Sequence, residues 1–230
     1  ALLTSGLEPA TPVDCPTEAV VDGRRFRNFE GGASGTVPFS QAFAESCNTA
    51  FIGAAGQLPD GALAEAASAF GFNLDYTLGP TTLGGSFPDP VTPVELAASA
   101  IGQAQITASP LHMATVAAAV LDGTWRSPLL VPAEAEERTA LPLDPAVRQT
   151  LASLMRSVVT DGSGTAADVV GVELVGKTGT AEFGKDVPPA THAWFIGAAD
   201  GLGFAIVLEG GGVGGRHAAP IAARFLEALP

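Results

Sequence analysis

The feature that most restricts the fold is a change of pattern near residue 170. Before it the chain reads as capped helices. After it come three β-rich strings, "VELVGKTGTAEF", "HAWFIGAAD" and "LGFAIVLEG", separated by turn residues, and then an apolar helix, "APIAARFLEAL". Helices, then strands, then a helix is an α+β order. It predicts a helical part over about 38–160 and, over about 170–230, a mainly antiparallel sheet flanked by helices.

The helix signals are local and physical. Thr92-Pro93-Val94-Glu95 is a capping box with proline at the first helical position. Ser109-Pro110 opens "PLHMATVAAAVLDG", closed by Gly123, and the cap explains Ser109 better than a pairing with His112 on one helix face. Asp144-Pro145 opens a helix in which Val147, Leu151, Leu154, Met155, Val158 and Val159 form one apolar stripe. Residues Ser40–Ser46 and Thr49–Leu58 flank a break at "SCN", and Gly61–Phe70 is a short Ala-rich helix. "ALLTSGLEP" reads as a last helical turn, with Gly6 left-handed and Pro9 preventing continuation. From Thr11 to Val37 the pattern is weak, an irregular segment or a short hairpin around "VVDGRRFRNFEGG".

Composition excludes several classes. Acidic residues outnumber basic ones 24 to 11, a formal charge of −13, whereas a phosphate backbone calls for clustered Lys and Arg. Arg24, Arg25 and Arg27 make only a short basic turn, so nucleic acid is not an expected partner. No apolar run reaches the roughly 20 residues of a membrane span, and no signal-peptide pattern opens the chain. The three histidines are scattered and Cys15 and Cys47 lack zinc-ligand spacing, so neither a metal nor another cofactor is expected. The two cysteines can bridge in an oxidising compartment or stay as thiols in a reducing one.

Only two lysines occur, and Lys177 stands inside "VGKTGTAEF", a string that otherwise looks buried. On an ideal strand Thr178 and Thr180 share one face and Lys177 and Gly179 the other. A twist or an edge position is needed to aim all of them at one ligand, and Gly179 lets a peptide backbone lie against the strand. Such a set suits a peptide ending in a carboxylate. The plainer alternative is a lysine snorkelling from a strand end beside a glycine bulge. Ser46 and Asn48, in the break between helices, offer a hydroxyl that can relay a proton and an amide that can donate and accept. Their plainer alternative is helix capping.

Ser-x-Asn in an interhelical loop, followed about 130 residues later by Lys-Thr-Gly-Thr on the first strand of a terminal unit, resembles the penicillin-binding protein and serine β-lactamase superfamily. "GRRFRNFEGG", "AFAESCNTAFI", "ELAASAIGQAQITASPLHMATVAAAV", "LMRSVVTDGSGTA", "GKTGTAEF" and "HAWFIGAA" look like the transpeptidase domain of class B penicillin-binding proteins, especially of the actinobacterial kind. The resemblance implies that Ser46 helps pass a proton, Asn48 holds the peptide substrate and Lys177 supports a positive potential. It also implies that Thr178, Gly179 and Thr180 bind the terminal carboxylate of a D-Ala-D-Ala stem peptide or of a β-lactam, with a backbone N–H near Thr180 in the oxyanion hole. Cell-wall synthesis or division proteins are implied as partners, on the extracytoplasmic face of the membrane. "GQAQ" at 102–105 has Ala104 where the family more usually has glycine, a substitution expected to stiffen a turn.

One departure matters. The family's Ser-x-x-Lys motif is absent: Leu174 lies three residues before Lys177 and Glu182 three before Lys185. The resemblance aligns "ALLTSGL" with the end of the helix that carries that serine, which implies a nucleophile on the order of ten residues before Ala1. It implies, further upstream, two strands, a pedestal domain and a membrane anchor. A sheet without those strands would end on "GFAIVLEG" as an apolar edge. Two rivals share the motifs: a serine β-lactamase, for which no added deacylating glutamate is matched, and a non-catalytic homologue that holds stem peptide or a division partner. A third, a dinucleotide site at Gly210, Gly212 and Gly215, lacks the following strand.

Without the serine nucleophile no acyl-enzyme forms. The 230 residues alone are therefore expected to stay unlabelled by a fluorescent penicillin; specific labelling at any serine would contradict this.

Overall fold

The computed structural model describes residues 1–29, 32–76, 78, 82–130, 138–185 and 188–230. Glu30 and Gly31 of the "GRRFRNFEGG" string lie outside the described residues. In chain order the elements are β1 (Pro12–Cys15), β2 (Glu18–Val21), β3 (Arg24–Arg27), β4 (Gly35–Pro38), α1 (Phe39–Ala44), α2 (Asn48–Ala55) and α3 (Ala62–Ala69). They continue with β5 (Gly85–Ser86), α4 (Pro93–Ser99), β6 (Thr107–Ala108), α5 (Pro110–Asp122), β7 (Thr124–Arg126), β8 (Ala140–Pro142) and α6 (Pro145–Thr160). The last four are β9 (Val175–Phe183), β10 (Ala190–Ala199), β11 (Leu202–Leu208) and α7 (Ala219–Glu227).

Local signals set most of these bounds. The Thr92 hydroxyl accepts from Glu95 N–H and the Glu95 carboxylate accepts from Thr92 N–H, completing the capping box of α4. Asp144 accepts from the N–H groups of Ala146 and Val147 at 2.9 and 3.0 Å, a cap worth about 1 kcal/mol. Ser109 caps α5 through His112 N–H at 3.1 Å, and the helix ends at Gly123 with φ +83°. The first residues close as expected of a helix end: Gly6 N–H donates to Leu3 O and Leu7 N–H to Leu2 O. Of the two readings of the stretch before Val37, irregular or a short hairpin, β2 and β3 form the hairpin, turning at Asp22-Gly23. The pairing of β1 with β4 is an addition, because four-residue strands separated by other elements leave no periodic signal.

The β-rich end forms one antiparallel sheet in the order β11-β10-β9. β9 and β10 pair without interruption from Val175 opposite Ala198 to Phe183 opposite Ala190, so no bulge sits at Gly179. The main core lies between this sheet and α6 and α7, where Val159, Leu174, Phe195 and Ala222 are fully buried. A second cluster, with Val120, Met155 and Val175, joins α5 and α6 to the sheet. The stripe read on α6 faces inward through Leu154, Met155, Val158 and Val159. A smaller cluster of Cys15, Val37, Ala42, Cys47 and Ala50 ties β1 and β4 to α1 and α2. Among the described residues no helix is long and apolar enough to cross a membrane. β11 ends the described sheet on one side and β9 on the other.

A candidate active-site cleft

A cleft of about 740 Å³ lies between the α1–α2 junction and β9. Its first wall follows from how α1 ends. Ser46 N–H donates to Phe43 O at 3.1 Å and Cys47 N–H to Ala42 O at 2.9 Å, the paired bonds that close a helix through one left-handed residue. That residue is usually glycine, but here it is Ser46, at φ +60°. The result presents the Ser46 hydroxyl to the cleft. Neither side chain caps a helix, which corrects the plainer reading in part: Ser46 closes α1 through its backbone alone, Cys47 stands at the start of α2 with no side-chain cap, and Asn48 Nδ2 donates to Arg27 O at 3.3 Å.

Lys177 reaches across to this wall. Its Nζ donates to Ser46 Oγ at 2.7 Å and to Thr178 O at 3.2 Å, and it lies 6.0 Å from the centre of the Phe43 ring. Burial pushes its ammonium down to about 8 from the ordinary lysine value, because enclosure penalises the charged form. At neutral pH the group stays mostly charged, yet it can give up a proton close to neutrality. It is not a snorkelling lysine.

The edge position of β9 resolves how neighbours on opposite faces line one cleft. Gln103 Nε2 donates to Thr180 O at 3.2 Å, and Lys177 donates to Thr178 O, so both carbonyls point away from β10. In an antiparallel strand the N–H and C=O of one residue point to the same side. The N–H groups of Thr178 and Thr180 therefore also face the free edge and the cleft. On the side-chain side, Thr178 Oγ1 and Ser163 Oγ lie 2.6 Å apart, and Thr180 Oγ1 accepts from Gly214 N–H at 3.3 Å. Gly179 pairs opposite Trp194.

Ser163 and Gln103 were not singled out from the sequence. Ser163 arrives by packing: its N–H donates to Ala44 O at 2.9 Å, so the turn after α6 is tied to the end of α1. A Cβ on Gly162 would meet Ala44 O at 2.2 Å, so only glycine allows this approach. Gly214 and Gly215 are explained in the same way, since a Cβ would meet Gly179 O at 2.3 Å and Ser163 O at 2.3 Å. Gly214 and Gly215 thus pack the turn before α7 against β9 and Ser163, whereas Gly210 and Gly212 take left-handed conformations in that turn. Ala104 does more than stiffen its turn: at φ +65° it holds a left-handed conformation that costs a non-glycine residue about 1 kcal/mol.

The cysteines left open by composition are bridged, Cys15 to Cys47, with Cα atoms 6.1 Å apart. The arrangement offers a hydroxyl polarised by an ammonium, two threonine hydroxyls and edge N–H donors around one space. Such a set can hold a carboxylate or a developing oxyanion and pass a proton between lysine and serine.

The chain matches the family described as penicillin binding protein transpeptidase domain over residues 1–227. It is 34% identical over 253 residues to peptidoglycan D,D-transpeptidase PbpA of Mycolicibacterium smegmatis, covering 96% of this chain and 50% of that protein. It is 31% identical over 184 residues to stage V sporulation protein D of Bacillus subtilis, 73% of this chain and 28% of that protein. Its fold superposes on penicillin-binding protein A of M. tuberculosis, solved as a ceftriaxone acyl-enzyme complex, with a TM-score of 0.88 at 26% identity, covering 99% of this chain and 57% of that one. The chain spans about half the length of the PbpA relative it matches.

A lysine held below its unfolded value destabilises the fold below about pH 8, and this penalty fades as pH rises from about 8 to about 10.5. Lys177→Met is expected to raise folding stability by on the order of 2 kcal/mol at pH 7, with most of the gain gone near pH 10.5. Denaturant unfolding at both pH values checks this; a gain that does not shrink with pH contradicts the assignment.

Proposed function

The chain belongs to the penicillin-binding protein transpeptidase family, and we propose that it forms the substrate-binding and proton-relay walls of a serine-type peptidoglycan D,D-transpeptidase. In this reading Thr178 and Thr180 receive the terminal carboxylate of a D-Ala-D-Ala stem peptide, and the Thr180 N–H supports the developing oxyanion. Asn48 holds the peptide amide. Lys177 and Ser46 together move the proton that acyl transfer to and from a serine requires, and Lys177 supplies the positive potential. The attacking serine and its Ser-x-x-Lys lysine are not among the 230 residues.

The observation that carries the reading is the 2.7 Å contact between Lys177 Nζ and Ser46 Oγ, which joins two motifs 131 residues apart at one cleft. β-Lactams are the second ligand class, supported by similar structures solved as ceftriaxone, imipenem and penicillin G acyl-enzymes. A bridged Cys15–Cys47 pair supports an extracytoplasmic setting, where disulfides persist. A similar chain within a peptidoglycan synthase complex supports cell-wall synthesis proteins as partners.

With only two lysines, ε-¹³C labelling gives two resolvable side-chain signals, and Lys177→Met assigns them. Acetyl-D-Ala-D-Ala is expected to shift the Lys177 signal with a dissociation constant of about a millimolar, some 4 kcal/mol. Its C-terminal amide should shift it far less, and Thr180→Val should weaken the acid several-fold. Equal response to acid and amide, or none to either, would contradict carboxylate recognition at this wall.

A further inference from the structure

We propose that the Cys15–Cys47 disulfide is a positioning element of the cleft, pinning the Ser46–Asn48 turn to β1 so that Ser46 stays in register with Lys177. The proposal rests on the reading of Ser46, Asn48 and Lys177 as one site, and it concerns what holds that site together.

Ser46 sits at φ +60°, where a residue with a Cβ is less stable by about 1 kcal/mol or more. Such a conformation persists only when its surroundings over-determine it. The two bonds that close α1 fix the chain on the N-terminal side of the turn. On the C-terminal side, Asn28 Oδ1 accepts from Thr49 N–H at 3.0 Å, and Asn28 Nδ2 donates to Pro16 O at 2.8 Å and Gly32 O at 2.7 Å. Between these two anchors the Cys47 side chain is bonded to Cys15, the last residue of β1. β1 pairs with β4, and β4 runs directly into α1. The bridge therefore closes a ring, β1 to β4 to α1 to Cys47 and back, on whose rim Ser46 lies.

Two observations separate this from general stabilisation. The sulfurs belong to the small cluster shared by β1, β4, α1 and α2, apart from the sheet core that includes Leu174 and Phe195. Loss of the bridge therefore loosens the cleft wall first and the sheet least. The wall also covers the Lys177 ammonium through Ser46 and Phe43, so a loosened wall lets more water reach it. Both cysteines are 3% exposed, which shields the bridge from attack by an external thiolate and fits a permanent brace better than a switch.

The test is the Cys15→Ser/Cys47→Ser double variant of the whole chain, read by Lys177 ε-¹³C titration and near-UV circular dichroism of Trp125 and Trp194. The expected result is a retained near-UV spectrum with the Lys177 midpoint raised by about one pH unit or more, a roughly tenfold lower ratio of neutral to charged amine at pH 8. Amide exchange at Thr49 should quicken at least tenfold. A folded variant with an unchanged Lys177 midpoint would overturn the proposal, because the bridge would then only add stability. Loss of the near-UV spectrum would overturn it as well, because the bridge would then hold the fold and not the turn. None of these readouts needs substrate, so the proposal can fail while the transpeptidase reading stands.

Discussion

An ammonium group loses several kcal/mol of hydration when it is enclosed, and a fold that encloses one must return part of that loss as hydrogen bonds. Here the return comes from the Ser46 hydroxyl, the Thr178 carbonyl and the face of Phe43. The compensation is incomplete, and the depressed lysine value of about 8 measures the remainder. The same incomplete compensation leaves a lysine that can donate and accept a proton closer to neutrality than a free one.

Much of the surrounding architecture keeps that contact in place. The sheet fixes Lys177 through unbroken pairing of β9 with β10, while α6 packs behind β9 with its apolar stripe. The opposite wall is assembled from short pieces with little core of their own: a six-residue helix, a left-handed serine, a disulfide and a buried asparagine. Ser163 ties the two walls together, bonded to Ala44 on one side and close to Thr178 on the other. The rigid side carries Lys177, Thr178 and Thr180, and the braced side carries Ser46 and Asn48.

How much of this was legible in the sequence depends on the range of each interaction. Caps at Thr92, Ser109 and Asp144 and the stripe on α6 are decided within a few residues, so the helices and the three terminal strands could be read directly. Lys177, Thr178 and Thr180 were visible as an anomaly, an ammonium and hydroxyls in a buried string. Ser46 and Asn48 became meaningful only through the motif pairing, since a serine in a glycine position leaves no local mark. Ser163 and Gln103 reach Thr178 and Thr180 from 15 and 77 residues away by packing alone. The bridge between Cys15 and Cys47 depends on β1 pairing with β4, which four-residue strands do not announce.

The central claim is that Lys177 and Ser46 act as one unit, and a double-mutant cycle tests it most directly. Ser46→Ala, Lys177→Met and the pair of substitutions together would be compared with the parent by denaturant unfolding at pH 7 and near pH 10. A charge-assisted bond at 2.7 Å should give a coupling energy of about 1–3 kcal/mol at pH 7 that shrinks as the ammonium deprotonates. Additive effects at pH 7, with no coupling, would mean that the two residues merely lie close together.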